Sequence, residues 1–134
     1  GDVTIRNLNE ELNEFLEDAG KNKEIKEIDN NLSGLYNKLE GLENKKSVYN
    51  QNIINSKDKI EDYKQKSGKK SLDNIKKEEL KLDQLENDYK LVDAQICETV
   101  ENINNLEDEK NELIKKCLMK LHSDIKKHHQ KVNE

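Results

Sequence analysis

Residues 25–63, IKEIDNNLSGLYNKLEGLENKKSVYNQNIINSKDKIEDY, decide the fold class. Along them Ile25, Ile28, Leu32, Leu35, Leu39, Leu42, Lys46, Tyr49, Ile53, Ser56, Ile60 and Tyr63 recur three and four residues apart. Ten of the twelve are apolar or Tyr, in a chain that is only 31% hydrophobic. That spacing puts every one of them on a single stripe of an α-helix, the seam of a coiled coil. Lys46 and Ser56 are the two polar positions in the stripe, and polar seam residues commonly fix register.

After the seam comes Lys64-Gln65-Lys66-Ser67-Gly68-Lys69-Lys70-Ser71, the clearest break in the chain. Gly68 can take the left-handed conformation that ends a helix, and Ser71 can cap the next one. A second seam follows in Ile75, Glu78, Leu82, Leu85, Tyr89, Val92, Ile96, Thr99, Ile103 and Leu106. A reversal at residues 68–69 then makes an antiparallel hairpin, pairing positions whose numbers add to about 137. Tyr49 falls beside Tyr89, and Ile25 level with residue 112.

Upstream, Ile5, Leu8, Leu12, Phe15 and Ala19 share one face of a shorter amphipathic stretch. The register slips between Ala19 and Ile25, six residues apart. It slips again at Leu106, Lys110 and Ile114, four and four apart, at the matching level of the other arm. The expected organisation is one elongated all-α domain over 1–134. Its parts are a helix at about 3–19, another at about 22–66, a tip loop at about 67–71 and a last helix at about 72–132.

Composition agrees with long helices and excludes much else. The chain of 134 residues is 40% charged and has no Pro, no Trp, one Phe and four Tyr. That leaves little to line a substrate pocket. No run of about 20 apolar residues could cross a bilayer. Two cysteines, Cys97 and Cys117, lie about 30 Å apart on one straight helix, too far to bond to each other. Free thiols fit a reducing compartment, and the opening Gly1-Asp2-Val3-Thr4 has no signal-peptide character, so a cytoplasmic location is expected. Gly1-Asp2 reads as the start of a cut fragment.

From Ile96 onward the apolar face widens. Ile96, Val100, Ile103, Leu106, Leu113, Ile114, Cys117, Leu118, Leu121 and Ile125 cover more than a two-helix seam requires. They are read as a face that needs two neighbouring helices, with the N-terminal helix as one and a second copy of the chain as the other, so a homodimer is expected. Other helical proteins are a further class of partner.

The net charge of −5 is segregated. Residues 57–81 carry +3 and residues 110–131 carry +5, around a middle of −8 at 82–109. The tip and the C-terminal end are the places an anionic surface would prefer, through Lys64, Lys66, Lys69, Lys70, Lys126 and Lys127. The acidic middle argues against nucleic acid. His122, His128 and His129 show no i, i+4 pair and no completing carboxylate, so no metal site is expected. Cys117 and His122 sit on different faces, with no third group to make a nucleophile. No catalytic residue, cofactor or small-molecule substrate is expected. Asn31-Leu32-Ser33 matches a glycosylation sequon, but Leu32 is committed to the seam. Gly34 and Gly41, seven apart on an outer face, either admit a close backbone or are weak points.

Leu106-Glu107-Asp108-Glu109-Lys110, with Leu113-Ile114-Lys115-Lys116-Cys117-Leu118-Met119-Lys120-Leu121-His122, resembles the last long helix of BAR domains. The arfaptin and sorting-nexin kinds are the most similar. Leu85-Glu86-Asn87-Asp88-Tyr89 and Leu42-Glu43-Asn44-Lys45-Lys46-Ser47-Val48-Tyr49 resemble BAR helices flanking the tip. The resemblance implies a three-helix dimeric scaffold, peripheral at acidic membranes, with Lys64, Lys66, Lys69 and Lys70 at a lipid-contacting tip. It places Ile114, Leu118, Leu121 and Ile125 in the dimer core. The shorter chain, its stunted first helix and the acidic middle depart from the family's pattern and weigh against membrane bending. The alternative function is an adaptor or structural subunit of a cytoskeletal, tethering or chromosome-segregation complex that does not bind lipid.

Overall fold

The computed structural model describes residues 19–66 and 68–133, with side chains for 23–66 and 68–132. The expected helix at 3–19 lies outside the described residues, apart from Ala19. Two long helices account for nearly all the rest: α1, Ala19–Gln65, and α2, Lys69–Asn133. Neither contains a proline, and both are rich in Lys, Glu and Leu, which lose little freedom in a helix. There is no strand among the described residues. The two helices pack against one another as an all-α hairpin.

The seam of α1 is the one its spacing dictates. All twelve positions from Ile25 to Tyr63 are buried or half-buried, and every other described side chain of α1 from Lys23 on is exposed. In α2 all ten positions from Ile75 to Leu106 are likewise covered.

The chain divides into two compact units. The first comprises 35–102, the distal part of the hairpin with its tip. Its most buried side chains are Ile60, Val92, Ser56 and Thr99. Thr99 satisfies its own hydroxyl by donating to the Gln95 carbonyl at 2.7 Å, so full burial leaves no polar orphan. The second comprises 1–34 and 103–134, and among its described residues the buried apolar side chains are Ile28, Leu32 and Ile103. Burial of each such aliphatic side chain contributes about 1.5–3 kcal/mol.

The reversal is tighter than the sequence suggests. The Lys66 N–H bonds the Tyr63 carbonyl at 3.1 Å, a three-residue step that closes the last turn of α1. Gly68 has φ +130°, a conformation that L side chains rarely adopt. The Leu72 N–H then bonds the Gly68 carbonyl at 3.3 Å, the first rung of α2. Gly68 therefore stands at the N-cap of α2. Ser71 lies inside its first turn and is not the cap, which corrects the expected loop end near residue 71.

Candidate functional site

Three features stand out along the hairpin: the polar positions inside its seam, the lysines of its tip and the apolar side of the end of α2.

Each polar residue in the α1 seam is answered by an acid on α2. The Lys46 ammonium lies 2.7 Å from Asp93 Oδ1 and 5.4 Å from the centre of the Tyr89 ring. The hydrogen bond to Asp93 holds its pKa above the ordinary lysine value of 10.5, against a smaller opposing effect of desolvation. The Ser56 hydroxyl, 2% exposed, donates to Glu78 Oε1 at 2.8 Å. In the other unit, Lys110 on α2 pairs with Asp29 on α1 at 2.6 Å, at the register slip of α2. The three pairs fall within about three residues of the level that a turn at 68–69 dictates, the reach of long side chains. Sequence reading singles out Lys46, Ser56 and Lys110, but neither Asp93 nor Asp29. The antiparallel level rule could have found Asp93, the acid nearest the level of Lys46, whereas opposite Lys110 it points to Glu27 and not to Asp29.

A shallow polar hollow is lined by the Ser56–Glu78 pair itself together with Asn52, Asn55, Lys59, Lys81 and Leu85. Among the described residues no group of three His, Cys, Asp or Glu could hold a metal ion.

At the tip, Lys64, Lys66, Lys69 and Lys70 are all exposed. They flank Gly68 within one turn of each helix end, and among the described residues none of the four ammonium groups is ion-paired. Lys126 and Lys127 are exposed near the end of α2. No helix among the described residues is long and apolar enough to cross a membrane.

The wide apolar face splits. In the distal unit Ile96 is half-buried and Val100 is 38% exposed. In the other unit Ile103 is buried, and Leu106, Leu113, Ile114, Cys117 and Leu121 are half-buried. Leu118, Met119, Ile125 and Val132 are exposed, at 61, 64, 43 and 54%. A shallow groove there is lined by Asn111, Ile114, Lys115, Leu118, Met119 and His122. Both thiols are free, Cys97 exposed and Cys117 half-buried. Comparison of the chain with family models, with curated proteins and with solved structures finds no match.

Proposed function

We propose that this chain is a non-enzymatic helical scaffold whose hairpin tip docks on anionic membrane surfaces. The observation that carries the reading is the cluster of Lys64, Lys66, Lys69 and Lys70, exposed at the reversal of the hairpin and without an ion pair among the described residues. A lysine near an anionic surface contributes about 1 kcal/mol, so four reach a useful attraction without any pocket. The acidic stretch at 82–109 is repelled by the same surface and leaves the tip as the contact. The resemblance to BAR helices points the same way, and a homodimer would present two tips and multiply their affinity.

Co-sedimentation with phosphatidylserine vesicles at low salt tests the proposal. The protein should pellet with the vesicles and be released as salt rises. Lys66→Glu/Lys69→Glu/Lys70→Glu should weaken binding by at least about 100-fold, three lysines at about 1 kcal/mol each. Absence of binding at low salt would leave the adaptor reading, in which the helical faces alone do the work.

A further inference from the structure

The C-terminal part of α2 has more apolar surface than the described residues cover. Ile114, Leu118, Leu121, Ile125 and Val132 follow the four-and-three spacing of a seam, with His128 filling the remaining position. Three of them, Leu118, Ile125 and Val132, are more than 40% exposed. The antiparallel arrangement is anchored nearby by Lys110 on Asp29, whose numbers add to 139. Continued outward from the turn at 68–69, the sum of about 137 sets residue 19 level with residue 118, and residue 5 level with residue 132, within two residues of that anchor.

The sequence upstream of α1 carries the complementary pattern. Ile5, Leu8, Leu12, Phe15 and Ala19 are spaced three and four apart. Ile5 with Val132, Leu12 with Ile125 and Ala19 with Leu118 each add to 137, and Phe15 with Leu121 adds to 136. Residues 3–18 and 118–133 are sixteen residues each, about 24 Å as helix. Charge matches as well: residues 1–18 hold six acids and Arg6, a net −5, against +5 for residues 110–131.

We infer that the chain's own residues 3–18 dock in cis on the stripe Leu118–Leu121–Ile125–Val132, continuing the antiparallel seam past the register slip. The occupant of this stripe is the N-terminal stretch, so a homodimer would pair through another face and not through the dimer core that the BAR resemblance implies. The inference does not depend on whether the tip binds lipid, and vesicle binding measured on the same variants keeps the two separable.

In a full-length Cys97→Ser/Cys117→Ser background, Leu12→Cys/Ile125→Cys places two thiols at one level of the shared seam, where a disulfide needs Cβ atoms about 3.5–4.5 Å apart. Mild oxidation should cross-link it within single chains, at least tenfold faster than the off-face pair Asn13→Cys/Ile125→Cys. Equal rates would overturn the inference, and so would cross-links that join only two chains, because the occupant would then be another copy. Leu8→Asp/Leu12→Asp gives a second readout free of engineered thiols. Amide hydrogen exchange over residues 118–130 should rise at least tenfold while residues 40–95 stay unchanged. Unchanged exchange at 118–130 would overturn it equally.

Discussion

The distal unit, 35–102, and the unit built from 1–34 and 103–134 solve the same packing problem with different supplies of apolar surface. In the distal unit the stripe is narrow, and the two polar positions of its α1 arm are each answered across the hairpin, Lys46 by Asp93 and Ser56 by Glu78. In the other unit the buried core is Ile28, Leu32 and Ile103, and the end of α2 leaves Leu118, Met119, Ile125 and Val132 exposed. The difference teaches that a seam with spare polar positions specifies register, whereas a seam with spare apolar ones specifies a further neighbour.

The sharpest way to break this comparison is to open a cavity in each unit. Ile103→Ala and Ile60→Ala remove side chains that are 4% and 8% exposed, and each should cost about 2–4 kcal/mol in urea denaturation. Leu91→Ala, at 61% exposure beside the buried Val92, should stay within about 0.5 kcal/mol. A large loss at Leu91 would show that the distal unit also has a neighbour.

Next in size is the Ser56–Glu78 pair. Ser56→Leu/Glu78→Leu replaces a nearly buried hydrogen bond by seam leucines and should stabilise by about 1–3 kcal/mol. Ser56→Ala alone should cost about 1 kcal/mol, since it strips Glu78 of its donor. If the pair serves register, the double variant should gain stability and also populate additional oligomers in sedimentation velocity. A more stable variant with unchanged mass would remove the register role.

The glycines compare the two units with the least disturbance. Gly34 belongs to one unit and Gly41 to the other, and a Cβ built on either meets nothing within 4 Å. Their close-approach reading therefore has no support within the chain. Gly34→Ala and Gly41→Ala should each raise stability by about 1 kcal/mol, the helix cost of glycine, measured as a rise in urea midpoint at constant slope. A loss at either position would mean that a partner backbone needs the gap.

Much of this architecture was legible because a coiled-coil seam is a local code. Every covered side chain of α1 from Lys23 on is a position that the three-and-four spacing picks out. Gly68 was readable as a break, but its exact duty was not. Ser71 has the chemistry of a cap, yet the tight Lys66–Tyr63 step lets α2 start at Lys69, before a serine cap is needed. Asp29 and Asp93 were hidden for another reason: on a single helix each is one more solvated acid among many. Only the cross-hairpin level makes it a partner. The basic tip could be located by counting charge, whereas what it touches depends on a surface that no intrachain pattern encodes.

The smallest expected effect bears on Lys46, the seam cation of the distal unit. Its folded-state pKa is raised above 10.5, first by the hydrogen bond from its ammonium to Asp93 and further by the Asp93 charge. A group whose pKa rises on folding binds its proton more tightly in the native state. Its contribution is thus complete below the unfolded lysine value and fades as pH climbs through the folded one. From pH 7 to 10 the pair should leave stability flat, and above pH 10.5 the native protein should weaken more steeply than an Asp93→Asn variant. The Asp93 side chain is 47% exposed and that of Lys46 36%, so salt should blunt the difference. Denaturation midpoints at pH 8, 10 and 11.5 for the native and Asp93→Asn proteins check this. If the variant tracks the native protein at every pH, the Lys46–Asp93 contact is a solvated surface pair, and register in the distal unit rests on Ser56 and Glu78 alone.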